Sequence, residues 1–373
     1  MIMSNMSENL WYKVARRFIK AGRLPIPVTD SVIKILQAML NEEQAQFTLL
    51  LKKPSYNIDQ LKEIKEIREM GEDKLNNMLQ SLMHAGVMSA IPSRSTGVMV
   101  YRLLPFLPGL VETTFMKGGT GEREKKLARL YEDFFNELVQ GTQKNYDTLI
   151  PAYKDAPSIA RVIPVEEEIE VKKEVVLPFD ELSKILDNYD TIGLATCYCR
   201  HRKDLLGEPC KITDERKNCF SFGRTAVFMI SQGFAEEVSK EDAMKILKKA
   251  EDEGLVHKAF HANLDINKEI DGLCNCCKCC CGTFEAHYAG ALPLTDYSSY
   301  LARVNEDDCI GCGTCVENCN AEAIDLIDTI AQINEDRCIG CGVCAHVCPE
   351  NAMRLERVEP RKVFVPPPKL ENP

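Results

Sequence analysis

Eighteen cysteines stand in this chain of 373 residues, none before Cys197 and none after Cys348. They form three clumps. Cys197, Cys199, Cys210 and Cys219 come first. Six follow in "DGLCNCCKCCCGTF", namely Cys274, Cys276, Cys277, Cys279, Cys280 and Cys281, and the remaining eight form two CxxCxxCxxxC runs. Free thiols so crowded oxidise readily, whereas thiolates are ligands for zinc, Cu(I) and iron–sulfur clusters. No run of about eighteen apolar residues occurs, and the opening "MIMSNMSENLWYKVARRFIKAG" lacks the apolar block of a secretion signal, so a cytoplasmic chain without a membrane span is expected. In a reducing compartment this many cysteines points to metal or redox work and not to a disulfide framework.

The two last runs belong to a duplication. "VNEDDCIGCGTCVENCNAEAIDLI" (304–327) and "INEDRCIGCGVCAHVCPENAMRLE" (333–356) match cysteine for cysteine at a constant offset. Each glycine-rich turn can wrap three thiolates round one face of a cluster while the fourth departs on the following helix. On these motifs the region of about residues 300–357 resembles the bacterial dicluster ferredoxins, which implies two 4Fe-4S clusters. In that arrangement the fourth cysteine of each run serves the other cluster. The resemblance therefore implies Cys309, Cys312, Cys315 and Cys348 at cluster I, and Cys338, Cys341, Cys344 and Cys319 at cluster II. Asn320 departs from the pattern, since a proline usually follows the fourth cysteine; ligation is unaffected. Four-ligand zinc sites generally use two separated CxxC pairs, so zinc fits these runs poorly.

The ten middle cysteines allow more than one reading. A cubane needs four of them, and soft thiolates suit zinc and Cu(I) as well. An electron-transfer module directly downstream favours at least one further iron–sulfur cluster, with zinc as the alternative and redox-active dithiols or copper behind it. If 274–281 is helical, Cys276 and Cys280 share one face, and Cys277 and Cys281 the next. "CYCRH" sets Arg200, His201, Arg202 and Lys203 beside Cys197 and Cys199. They read either as charges that lower thiol pKa values or as a solvated basic loop. His201 reads as a surface residue before a ligand; His257, His261 and His287 read as structural. The combination of CxCRH and CxCCxCCC ahead of a dicluster ferredoxin resembles a family of anaerobe 4Fe-4S binding proteins, a likeness of layout that implies no reaction.

The elements that must position these thiols suggest an α+β multidomain chain. Residues 1–150 read as a mostly helical domain. Within it, helices from Thr29 onward followed by strands at Val87–Ala90 and Gly97–Leu103 resemble a winged helix-turn-helix. Leu10–Ile19 reads as an amphipathic helix on its own domain, and 127–146 as a helix with Tyr131, Phe134 and Phe135 in the core. Residues 151–178 read as a linker and 179–300 as an α/β cysteine-rich metal-binding domain. In that domain a helix carries Leu182, Ile185 and Leu186, a strand delivers Cys197 and Cys199 to a loop, and a second helix runs from a capping box at Ser239 and Asp242 to a stop at Gly254. Residues 301–357 read as the duplicated ββαββα-like ferredoxin domain, and 358–373 as a Pro-rich tail.

A net charge of −10, from 46 basic and 56 acidic residues, argues against polyanion binding by the whole surface. Within the segment Gly71–Gly86 that would read DNA, Lys74 stands alone against Glu72 and Asp73, and the wing offers only Arg94 and Arg102. Docking is thus the preferred role of the N-terminal domain, and nucleic acid is disfavoured as a partner. No phosphate-cradling glycine loop, Ser-His-Asp set or dinucleotide fingerprint occurs.

The expected function is an oxygen-sensitive electron-transfer component of an oxidoreductase system, relaying single electrons between a soluble donor and a redox protein partner. A redox- or oxygen-sensing winged-helix regulator and a reductase with its catalytic cluster in the middle domain are the alternatives.

Overall fold

Apolar residues three and four apart, started by polar caps, make the first third of the chain helical. Thr29 accepts from the Val32 amide, and Asn41 with Gln44 and Asn57 with Gln60 form capping boxes. In the computed structural model, which describes residues 2–22, 26–169, 181–261, 265 and 268–371, these caps open the helices Asp30–Met39, Glu42–Leu50 and Ile58–Lys62. Lys65–Met70 and Glu72–His84 follow, then the antiparallel hairpin of β1 (Met88–Pro92) and β2 (Met99–Leu103). The first helix, Ile2–Ala21, lays Trp11, Val14, Ala15 and Phe18 into the same core, as its amphipathic pattern suggests. The helix Glu122–Lys144 buries Tyr131 and Phe134, while Phe135 is half-buried and lies under the Arg202 guanidinium.

The rest of the chain is organised by one sheet. Its strands are β3 (Ala160–Ile163), β4 (Ile192–Thr196), β5 (Lys217–Phe222), β6 (Glu236–Glu237), β7 (Val256–His261), β8 (Ile270–Cys276) and β9 (Leu294–Val304). The hairpin β10 (Ile324–Ile327) with β11 (Ile330–Ile333) joins the two cysteine runs, and β12 (Met353–Val365) completes the sheet. The order is β12-β9-β3-β7-β8-β5-β4-β6, antiparallel except where β3 runs parallel to β9.

Several expected boundaries fall inside this sheet. Residues 160–163, expected in a linker, form the buried strand β3 between β7 and β9. Strand β9 crosses the 300/301 boundary, and β12 continues to Val365, inside the expected tail. The physical reason is pairing: the β-branched residues that look like extended linker satisfy their backbone groups against neighbouring strands. Past β12 the chain reaches the N-terminal helices, where Gln143 Nε2 donates to the Pro368 carbonyl at 3.0 Å and Lys369 pairs with Asp147 at 2.8 Å. Residues 170–178 of the expected linker, and 179–180 after it, lie outside the described residues. Among the described residues no helix is long and apolar enough to cross a membrane.

The two predicted scaffold helices form as Leu182–Asp187 and Lys240–Asp252. The first buries Leu182, Ile185 and Leu186, and the second is capped by Ser239 and followed by Gly254 at a φ of 74°.

Candidate metal centres

The duplicated turns fold alike. Gly311 and Gly340 both have left-handed φ, and a Cβ at either would collide with a backbone carbonyl, that of Thr329 or of Tyr300. Close approach of Gly311 to the chain at Thr329 and of Gly340 to the strand at Tyr300 therefore requires glycine at these two positions. Cys309, Cys312, Cys315 and Cys348 line one cavity open to the surface, and Cys319, Cys338, Cys341 and Cys344 line another. Each void thus takes three cysteines from one run and the fourth from the other. The first is the more open: Cys312 is exposed and Ile310, on its rim, is 64% exposed.

The middle cysteines divide into two groups, because β8 ends where its cysteine run is densest. Strand β8 is extended, not helical as considered for 274–281, so alternate side chains share a face. Cys274 and Cys276 thus share one face and Asn275 takes the other. Cys219 on β5 stands opposite Cys274, with the two sulfurs 3.6 Å apart. After Cys276 the chain turns, and Cys277, Cys279 and Cys280 gather with Cys210 from the loop that precedes β5. Four of their sulfur separations are 3.6–3.7 Å, and all four sulfurs lie within 4.8 Å of one another. Among the described residues no other metal-ligating side chains converge so tightly, and this group contains no histidine.

The other six cysteines form a row. Cys197, Cys199, Cys281, Cys276, Cys274 and Cys219 each lie within hydrogen-bonding reach of the next. Two of them start helices: Cys197 caps Tyr198–Leu205 and Cys281 caps Gly282–Tyr288. The Gly282 amide donates to Cys199 Sγ at 3.3 Å.

The basic stretch beside Cys199 is neither a loop nor solvated. Arg200, His201, Arg202 and Lys203 are all buried on the helix Tyr198–Leu205. Arg200 sits between the two sulfur groups. Its Nη2 donates to the Asn275 carbonyl at 2.9 Å and contacts Cys277 Sγ at 3.5 Å, while Nε and Nη1 are buried without a hydrogen-bond partner. Burial opposes its charge, but Cys197, Cys277 and Cys210 hold its pKa above the ordinary arginine value. Cys197 in turn is brought down to about 7, first by its contact with Cys199 and then, against burial, by Arg200. Arg202 instead pairs with Glu132 and Glu285, and Lys203 lies 2.7 Å from Glu285, so those two charges are neutralised locally. His201 bonds through Nε2 to the Gly119 carbonyl at 2.7 Å, a tie to the N-terminal helices.

Lys258 on β7 was not singled out by its sequence neighbourhood, although a lysine inside the strand "VHKAFH" is itself a signal, since buried lysines need partners. Its Nζ lies 2.8 Å from Asp296 Oδ2 and 4.4 Å from the Phe284 ring centre, with both charges 2% exposed or less. Burial pulls its pKa down, and Asp296 followed by Cys281 and Cys276 more than restores it. His257 bonds Asn275 at 2.6 Å and Glu251 at 3.3 Å, and His261 bonds the Lys268 carbonyl at 2.6 Å. His287 is buried and pushed down to about 4, chiefly by that burial.

Asn320, where a proline is usual, joins the two cysteine regions. Its Oδ1 accepts from the Lys278 amide at 2.8 Å and its Nδ2 donates to the Gly254 carbonyl at 3.0 Å. The Tyr288 hydroxyl donates to the Asn320 carbonyl at 2.7 Å. Lys278 lies between Cys277 and Cys279, and Asn320 follows Cys319, so this residue clasps the second void to the packed sulfurs.

Residues 302–355 match the family model of the 4Fe-4S dicluster domain. No curated protein and no solved structure matches the chain. The matched domain indicates an iron–sulfur cofactor and electron transfer, and the middle cysteines offer a metal-binding group.

Proposed function

We propose that this protein relays single electrons between a soluble donor and a partner oxidoreductase, using two ferredoxin-type 4Fe-4S clusters and at least one further metal centre in the middle region. The observation that carries the reading is the crossed lining of the two voids, three cysteines from one run and one from the other. Cluster I takes Cys309, Cys312, Cys315 and Cys348; cluster II takes Cys319, Cys338, Cys341 and Cys344. When bound, such clusters store and release one electron at a time.

The residues around the two voids divide the work. Exposed Cys312, Ile310 and Leu326 give the first void an apolar rim on which a partner can dock. At the second void the Asn320 clasp fixes the distance to the middle cysteines. We assign the further centre to the row Cys197, Cys199, Cys219, Cys274, Cys276 and Cys281, whose soft thiolates suit a metal ion. Supporting this are the two buried cations beside the row, Arg200 and Lys258, which offset thiolate charge.

The N-terminal helices and hairpin, read as a winged-helix-like domain, serve docking in this proposal. Its wing is engaged inside the molecule: Arg94 pairs with Glu269 at 2.6 Å, and Arg224 donates to the Pro92 carbonyl. Lys74 is paired with Glu43 at 2.6 Å. These pairings leave the regulator reading few free cations for phosphate.

Iron and acid-labile sulfide on anaerobically purified protein test the proposal. About eight irons and eight sulfides per chain are expected from the ferredoxin pair. A folded protein free of sulfide would overturn it.

A further inference from the structure

The four sulfurs of Cys210, Cys277, Cys279 and Cys280 carry information that the cysteine count did not. A single tetrahedral ion with metal–sulfur bonds of about 2.3 Å holds its thiolates about 3.8 Å apart, by the geometry of a regular tetrahedron. A cubane gives each thiolate a different iron, spreading the ligand sulfurs to roughly 6 Å. A disulfide would bring a pair to about 2 Å. The observed separations of 3.6–3.7 Å fit the first of these.

The chain supplies its own reference. The eight ferredoxin cysteines line two cavities and nowhere bring three sulfurs within 4.8 Å, whereas the Cys210 group does so with all four. We infer that Cys210, Cys277, Cys279 and Cys280 form a mononuclear tetrathiolate site for one zinc or iron ion, separate from any sulfide-containing cluster. Zinc and iron share this ligand chemistry.

The surroundings suit such a site. Cys277 and Cys280 are fully buried, Cys210 nearly so, and Cys279 faces partly outward, which leaves an entry path. Four thiolates around a divalent ion carry a net charge of −2, and the Arg200 guanidinium at 3.5 Å from Cys277 Sγ offsets part of it. Three of the four ligands come from a four-residue turn, and Cys210 closes the site from a separate loop. Loading the site therefore pins that loop to the end of β8, next to the Asn320 clasp. The inference does not depend on the relay, since the ferredoxin clusters can exist without this ion.

The test is zinc, iron and acid-labile sulfide on the full chain purified without oxygen, for the wild type and for Cys210→Ser, Cys279→Ser and Cys276→Ser. The expected result is one metal ion per chain beyond the iron matched by sulfide. Zinc would be read directly, and iron as a high-spin ferrous tetrathiolate doublet in the Mössbauer spectrum. That ion should be lost in Cys210→Ser and Cys279→Ser, with ferredoxin iron and sulfide unchanged, and kept in Cys276→Ser. Where the serine variants fail to fold, wild-type protein produced with iron present and Co2+ in place of zinc should show the absorption of tetrahedral cobalt thiolate beside that of the iron–sulfur clusters. Wild-type protein without zinc and with iron equal to sulfide, or loss of iron and sulfide together on changing Cys279, would overturn the assignment.

Discussion

The ferredoxin cysteines and the Cys210 group are both sets of four thiolates in one chain, yet the backbone treats them oppositely. Around the two voids, glycine turns hold the sulfurs apart and leave room for an inorganic body; at the end of β8 a tight turn presses them into contact. The difference teaches that sulfur spacing, fixed by local backbone geometry, selects how many metal atoms fit between ligands of identical chemistry.

The comparison breaks most readily at the crossed fourth ligands. Cys348→Ser should cost about four irons and leave the same surviving cluster, by electron paramagnetic resonance of the reduced protein, as Cys309→Ser does. Should it match Cys338→Ser instead, the voids are not filled as their lining indicates. Next in size is the buried ion pair. Lys258→Met leaves Asp296 uncompensated and should destabilise the chain by about 3–5 kcal/mol in denaturant unfolding, with most of that recovered in the Lys258→Met, Asp296→Leu double variant. Equal losses in both would show that Lys258 acts on the thiolate row and not through Asp296.

Asn320→Pro restores the usual ferredoxin residue and removes the side-chain bonds to Lys278 and Gly254. A loss of about 1–3 kcal/mol is expected with all ferredoxin iron retained, since buried donors and acceptors lose their partners while the ligands do not. Loss of iron from this variant would mean that the clasp shapes the second void itself. The smallest effect should be that of the uncharged Ile310→Ser on the rim of the first void. Stability should change by no more than about 0.5 kcal/mol, and reduction by a partner should slow with cluster potentials unchanged. A stopped-flow rate equal to the wild type would remove this rim from the docking surface.

Much of the site was legible because its information is local. The spacing of Cys309 to Cys319 and of Cys338 to Cys348, with glycines between, is a complete instruction for a turn, and duplication makes the pattern unmistakable. The helix of Ser239 and Gly254 was legible for the same reason, since caps act within one turn. The stretch from Cys274 to Cys281 was not. Its apolar and polar residues support either a helix or a strand, and only pairing of β8 with β5 and β7 decides for a strand that ends at Cys276.

The amino-acid order by itself pointed to thiolates as metal ligands, and located the duplicated glycine-rich turns. Tertiary structure decided how the ten middle cysteines separate into a row of six and a packed group of four, and which cations attend them. It also decided that Arg202 and Lys203 face carboxylates of Glu132 and Glu285 and not the thiols, and that one sheet runs through the expected linker, middle domain, ferredoxin domain and tail. The reason is physical. Ligand type and turn geometry are set by residues a few positions apart, whereas sulfur-to-sulfur distance between Cys210 and Cys277 depends on packing across many residues of intervening chain.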